Sequence, residues 1–214
     1  MTEQPIATGQ PAGPPMVAIL RGITPAEIIP VADALYQAGF RYIEVPLNSP
    51  QPLESIAKLV DHLGDRACCG AGTVTSEQQV EALASTGARL VVSPNCDPLV
   101  IRRSLKLGMV SMPGVQTPTE AFAAIAAGTK HLKLFPAANL GPGYVKNLKA
   151  VLPGDIRLLA VGGVHLDNMA DFYGAGTDGF GIGSDLYKPG RTAEEVAELA
   201  TAYIKKFTEL QKST

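Results

Sequence analysis

MVAILRGITPAEIIPVADALYQAGFRYIEVPL, residues 16–47, holds the rhythm that decides the fold. A short apolar run, MVAIL (16–20), gives way to PAEIIPVADALYQAG (25–39), where apolar residues recur at the helical period. A second apolar run, RYIEVPL (41–47), follows. Thr24 places a capping hydroxyl before Pro25 at the first helical position, and Glu27 lies three residues after Thr24. Gly39 supplies the stop, because glycine accepts the left-handed conformation that ends a helix. Strand, helix and strand in immediate succession predict a parallel pairing.

The same texture spreads to the rest of the chain. Apolar runs recur as ACCGAGTV (67–74), RLVVSP (89–94), MVSMPGV (109–115), HLKLFP (131–136), IRLLAVGG (156–163) and DGFGIGS (178–184). Helical stretches include SEQQVEALASTG (76–87), TPTEAFAAIAAG (117–128) and AEEVAELATAYIKKF (193–207). Ser76, and Thr117-Pro118 with Glu120, are start signals; Gly87, Gly108, Gly128 and Gly176 are stops. Eight strands, each followed by a helix or helical turn at a spacing of roughly 20–25 residues, predict a single-domain (β/α)8 TIM barrel over residues 16–214. The rival is an open doubly wound sheet, which uses the same local pattern with fewer strands. Residues 1–15 are rich in Pro and Gly without periodicity and are expected to form a flexible tail.

Composition narrows the function classes. Apolar residues make up 46 % of the chain, yet no apolar stretch reaches the ~20 residues of a membrane span. Lys and Arg number 18 against 20 Asp and Glu, with no basic stripe, so neither a nucleic-acid nor a membrane-surface partner is expected. The cysteines, Cys68, Cys69 and Cys96, are odd in number and include an adjacent pair, a poor basis for disulfides. Met1 to Pro15 lacks the basic and apolar regions of a signal peptide, so a cytoplasmic location is expected. His62, His131 and His165 show no metal-ligand spacing; the first two are expected to be structural and the third peripheral to a glycine loop.

In such a barrel, chemistry sits at the C-terminal ends of the strands. In HLKLFP, Leu132 and Leu134 share one face and suit the outer helices, so Lys133 is directed inward. A desolvated amine has a lowered pKa, which a Schiff-base nucleophile requires; a lysine that snorkels out to a carboxylate is the alternative. In RYIEVPL, Ile43, Val45 and Leu47 form one face, and Glu44 falls on the other with Tyr42 and Pro46. A lysine and a glutamate in one interior make a nucleophile with a general acid–base, or else a structural ion pair. Arg21, following AIL, suits a carboxylate or else is a surface arginine, and Thr73 is a candidate substrate contact or a cap for the next turn. Pro94 and Phe135 are candidate apolar wall, or else plain loop and core residues. Gly162, Gly163, Gly183 and Ser184 follow the last two strands, the usual phosphate position; tight turns at barrel corners are the alternative.

Together these residues resemble the class I KDPG/KDPGal aldolases. The motifs that carry the likeness are AILRGITP (18–25), IEVPLNSP (43–50), GAGTV (70–74), SPN (93–95), LKLFP (132–136), AVGGV (160–164) and GIGSDLY (181–187), in family order from about Val17 to Lys206. The resemblance implies a homotrimeric barrel with no cofactor and no metal. It implies Lys133 as the Schiff-base lysine, Glu44 as the proton shuttle, and Arg21 and Thr73 as substrate contacts. Gly162, Gly163, Gly183 and Ser184 correspond to its phosphate site. ILRG with ExPLNSP resembles the galactonate branch. The gluconate branch carries an arginine four residues after its glutamate, where this chain has Asn48, and typically a threonine where it has Val161. The expected reaction is cleavage of a phosphorylated keto-deoxy sugar acid to pyruvate and glyceraldehyde 3-phosphate, with the 6-phosphogalactonate substrate first and its gluconate epimer as the alternative. A phosphosugar epimerase or isomerase and a non-enzymatic phosphosugar-binding barrel remain rivals. The interior Lys133 and Glu44 weigh against the second.

Overall fold

The computed structural model describes residues 11–213. The first repeat comprises β1 (Met16–Ile19), α1 (Ile28–Ala38) and β2 (Tyr42–Pro46). Then come α2 (Pro52–Leu63), β3 (Cys68–Gly72), α3 (Glu77–Ala84), β4 (Leu90–Val92) and α4 (Pro98–Lys106). The fifth apolar run yields two segments, β5 (Val110–Met112) and β6 (Gly114–Val115). The chain continues with α5 (Pro118–Ala126), β7 (His131–Leu134), α6 (Ala137–Lys149), β8 (Arg157–Val161), α7 (Met169–Gly174), β9 (Gly179–Ile182) and α8 (Ala193–Lys212).

All strands pair in parallel, in the order β5-β4-β3-β2-β1-β9-β8-β7-β6. Both ends of that order belong to one stretch of chain. Pro113 interrupts it because proline has no N–H to give to a ladder. β5 pairs with β4, and one residue later β6 pairs with β7. The Pro113 carbonyl still accepts the Lys133 N–H at 2.9 Å. The nine segments are therefore eight strands closed into the expected barrel.

Side-chain alternation divides the core into two. Val17, Tyr42, Cys68, Leu90, Val110 and Leu159 belong to the barrel interior. Ala18, Ile43, Val45, Cys69, Leu132 and Leu134 face the helices. Burial raises the Cys68 thiol pKa to about 12 and also raises that of Cys69, so both behave as small apolar side chains. The last helix, α8, docks through Tyr203 and Phe207, each almost fully buried. The Phe207 ring meets Phe180 edge-on with centroids 6.1 Å apart, an arrangement favoured by the ring quadrupoles.

Two boundaries differ from expectation. The first helix begins at Ile28, three residues after Pro25. The Glu27 carboxylate accepts from the Thr24 N–H at 3.0 Å and from the Thr24 hydroxyl at 2.5 Å, while the Glu27 N–H bonds the Thr24 carbonyl. The capping residues thus close a separate turn before the helix. Of the expected tail, residues 1–10 lie outside the described residues. Residues 11–15 run under the barrel base, where the Tyr42 hydroxyl donates to the Pro11 carbonyl (3.3 Å) and the Phe180 N–H to the Pro15 carbonyl (3.0 Å).

Candidate active site

Lys133 lies on β7 between two leucines packed against the helices, and alternation turns its side chain into the barrel mouth. Its register neighbours are Gly114 and Leu159, which offer no charge. It is 7 % exposed, and Nζ lies 4.7 Å from the centroid of the Phe135 ring. Desolvation pulls its pKa below the usual lysine range, with Glu44 opposing and Arg21 reinforcing that shift.

Glu44 occupies the same face of β2 as Tyr42, in register with Ile19 and Gly70, and is 1 % exposed. Burial raises its pKa to about 7; Lys133, Arg21 and the Gly72 N–H that donates to it act in the opposite direction. Its Oε2 has no hydrogen-bond partner. Gly72 makes room for the carboxylate, since a Cβ there would stand 2.1 Å from Oε2. A buried carboxylate with a free oxygen, poised near neutrality, can give and take a proton inside the cavity that it shares with the Lys133 amine.

Both groups open into a cavity of about 700 Å³ at the C-terminal mouth. Arg21, Phe135, Val161, Gly162, Gly163, Gly183 and Ser184 line it as well. Arg21 is exposed at the end of β1, and its Nη1 donates to Asn48 Oδ1 at 2.5 Å. Gly162 and Gly163 take φ of +92° and +71°, a conformation in which a side chain is strained. There is also no room for one: a Cβ on Gly163 would lie 2.5 Å from Ala138 Cβ. Gly183 starts a tight turn in which its carbonyl accepts the N–H groups of Leu186 and Tyr187, both at 2.9 Å. The Arg191 guanidinium holds that turn through the Asp185 carbonyl at 2.7 Å. Glycine backbone with no side chain in front of it is suited to an anion.

Thr73 and Pro94 are not among the residues lining this cavity. Strand alternation would group Thr73 with Cys69 and Ala71, which face the helices, but Thr73 takes φ +59° and leaves the strand path. Pro94 turns its carbonyl toward Gly114, where a Cβ would stand 2.2 Å away. The histidines lie elsewhere: His62 bonds Asp33 at 2.7 Å, His131 is buried at the start of β7, and His165 stands 3.6 Å from Asp167. Among the described residues, no three His, Cys, Asp or Glu side chains gather as a metal site.

The wall also includes Ile19, Val164 and Gly181 on or beside strands, and Gly22, Asp185, Tyr187, Lys188 and Pro189, none of them a candidate site residue from the sequence. Asp185, Tyr187, Lys188 and Pro189 extend the GIGSDLYKPG turn beyond Gly183-Ser184, and the length of that turn was the available signal. A buried amine, a buried carboxyl group, a guanidinium and a set of glycines thus surround one cavity.

The sequence matches the family model "KDPG and KHG aldolase" over residues 12–201. It is 50 % identical over 195 residues to the 2-dehydro-3-deoxy-6-phosphogalactonate aldolase of Escherichia coli (strain K12), covering 91 % of this chain and 95 % of that protein. The solved structure named "Native KDPGal structure" superposes with a TM-score of 0.92 at 47 % identity, covering 99 % of this chain and 100 % of that one. A cube-shaped protein cage designed by fusing symmetric oligomeric domains superposes with a TM-score of 0.92 at 50 % identity, covering 94 % of this chain and 74 % of that one.

Proposed function

The chain belongs to the KDPG and KHG aldolase family, a family of carbon–carbon lyases, and from that premise we propose that it cleaves 2-dehydro-3-deoxy-6-phospho-D-galactonate to pyruvate and D-glyceraldehyde 3-phosphate through a Schiff base on Lys133. The observation that carries the reading is the buried Lys133 beside a buried Glu44 whose Oε2 is unpartnered. A structural ion pair would leave neither group available.

Neutral Lys133 Nζ adds to the C2 ketone. Protonated Glu44 delivers its proton to the departing oxygen, and water leaves an iminium ion. Glu44, now a carboxylate, takes the proton of the C4 hydroxyl. The C3–C4 bond breaks, its electron pair enters the iminium as an enamine, and the aldehyde departs. Protonation at C3 and hydrolysis then release pyruvate and free Lys133. The iminium replaces a free carbanion, and a positioned proton-transfer group contributes typically 10²–10⁴-fold. Arg21 receives the carboxylate, and Gly162, Gly163, Gly183 and Ser184 receive the phosphate at the far end. Phe135 supplies apolar wall. Thr73 and Pro94 stand at the ends of their strands as further candidate substrate contacts.

Epimer choice rests on Val161, which packs over Gly181 and lines the cavity. A valine offers a methyl where a threonine would offer a hydroxyl to one C4 epimer. Purified enzyme should show a higher kcat/KM on the galactonate than on the gluconate epimer, and Val161→Thr should narrow that gap. A wild-type preference for the gluconate epimer would overturn the substrate assignment. Residues 16–214 act as one aldolase domain, working in the cytoplasm as a homotrimer. The symmetric oligomeric domains of the designed cage and the exposed Leu99 and Phe122 on α4 and α5 support self-association. No helix among the described residues is long and apolar enough to cross a membrane.

A further inference from the structure

We propose that the turn after β2, through Asn48 and Ser49, aims the Arg21 guanidinium at the substrate carboxylate, and that the neutral amide at position 48 leaves the arginine's charge to the substrate. The inference rests on the aldolase reading above and adds two positioning residues to it.

Arg21 sits at an exposed strand end, where a long side chain would ordinarily sample many rotamers. One bond restrains this side chain and a second fixes the backbone next to it. Arg21 Nη1 donates to Asn48 Oδ1 at 2.5 Å, and the Gly22 N–H donates to Ser49 Oγ at 2.9 Å. Ser49 is buried and its own N–H bonds the Pro46 carbonyl at 2.9 Å, so the turn is rooted in β2. The Leu20 N–H donates to the Glu44 carbonyl at 2.9 Å on the same side of the barrel. The arginine is therefore located relative to the strand that carries Glu44. Arg21 lines the same cavity as Glu44 and Lys133, and its charge acts on both. A guanidinium has five donors; Asn48 engages Nη1 and leaves donors for a carboxylate. An aspartate at position 48 would hold the same geometry but would neutralise the cation, and the substrate carboxylate would then compete with a fixed one.

The test is capture of pyruvate on the enzyme by borohydride, titrated with pyruvate, for wild type, Arg21→Ala, Asn48→Ala and Asn48→Asp. Acetone, a ketone without a carboxylate, is the companion probe, and thermal midpoints report folding. Asn48→Ala should raise the half-saturating pyruvate concentration roughly tenfold or more, the scale of a lost bond to a charged group. Asn48→Asp should raise it further although the acceptor is retained, and each Asn48 variant should change capture of acetone by a much smaller factor than capture of pyruvate. Should Asn48→Ala fold poorly, Asn48→Asp carries the test alone. Wild-type half-saturation in Asn48→Ala, or tighter pyruvate binding in Asn48→Asp, would overturn the proposal. Parallel losses with pyruvate and acetone would also overturn it, as the mark of a merely structural role. No pyruvate capture on Lys133 in wild type would remove the aldolase reading itself. Capture that Arg21→Ala weakens and Asn48→Ala does not would remove only this inference.

Discussion

At the scale of single residues, the chain keeps a carboxyl group almost wholly buried at the floor of an open cavity. The Glu44 pKa stands at about 7 against an ordinary 4.5, so its neutral form is favoured in the folded state. Its contribution to stability is full below pH 4.5 and is lost as pH rises through 7. Above that range the ionised carboxylate costs up to ~3 kcal/mol, at 1.36 kcal/mol per pKa unit. Glu44→Gln should therefore raise the thermal midpoint at pH 8 and change it little at pH 4, while kcat falls by 10²–10⁴. Equal effects at both pH values would contradict the buried, titrating carboxylate. Both Lys133 and Glu44 were legible in the sequence because each stands between apolar residues of known facing on a strand. Thr73 was less legible, because a positive φ breaks the alternation that the reading depends on. The contact of Asn48 with Arg21 was not legible at all. It joins two turns 27 residues apart, and no local period encodes it.

At the scale of elements, start signals differ in what they accomplish. Thr117 and Glu120 form a full capping box on α5, in which each side chain takes the other's backbone N–H. Thr24 and Glu27 contain the same residue types but close a turn ahead of α1, because the Glu27 N–H goes to the Thr24 carbonyl and not to its hydroxyl. Thr117→Ala should destabilise the protein by about 1 kcal/mol in denaturant unfolding and leave kcat and KM unchanged, since the cap lies outside the cavity. A loss well below that figure would mean that α5 is held by its packing alone. The strand–helix rhythm located every strand, but it could not anticipate the break at Pro113, where ladder pairing passes from β4 to β7. Nor did it anticipate the kink in α6, where Gly141 takes φ +77° ahead of Pro142.

At the scale of the whole molecule, closure of the sheet carries the function. Residues 21, 44, 133, 162 and 183 are far apart in sequence, and only a closed parallel barrel brings their strand ends to one mouth. Apolar side chains fill the interior below, so the amine and the carboxyl are desolvated from that side while the mouth stays open to substrate. The lowered Lys133 pKa, the raised Glu44 pKa and the glycine cradle are thus consequences of one topology. The most direct test is to treat the wild-type protein with pyruvate and borohydride and to map the adduct by peptide mass spectrometry. One pyruvate-derived adduct, on Lys133 and dependent on pyruvate, is the predicted result; no adduct, or an adduct on another lysine, would contradict the account.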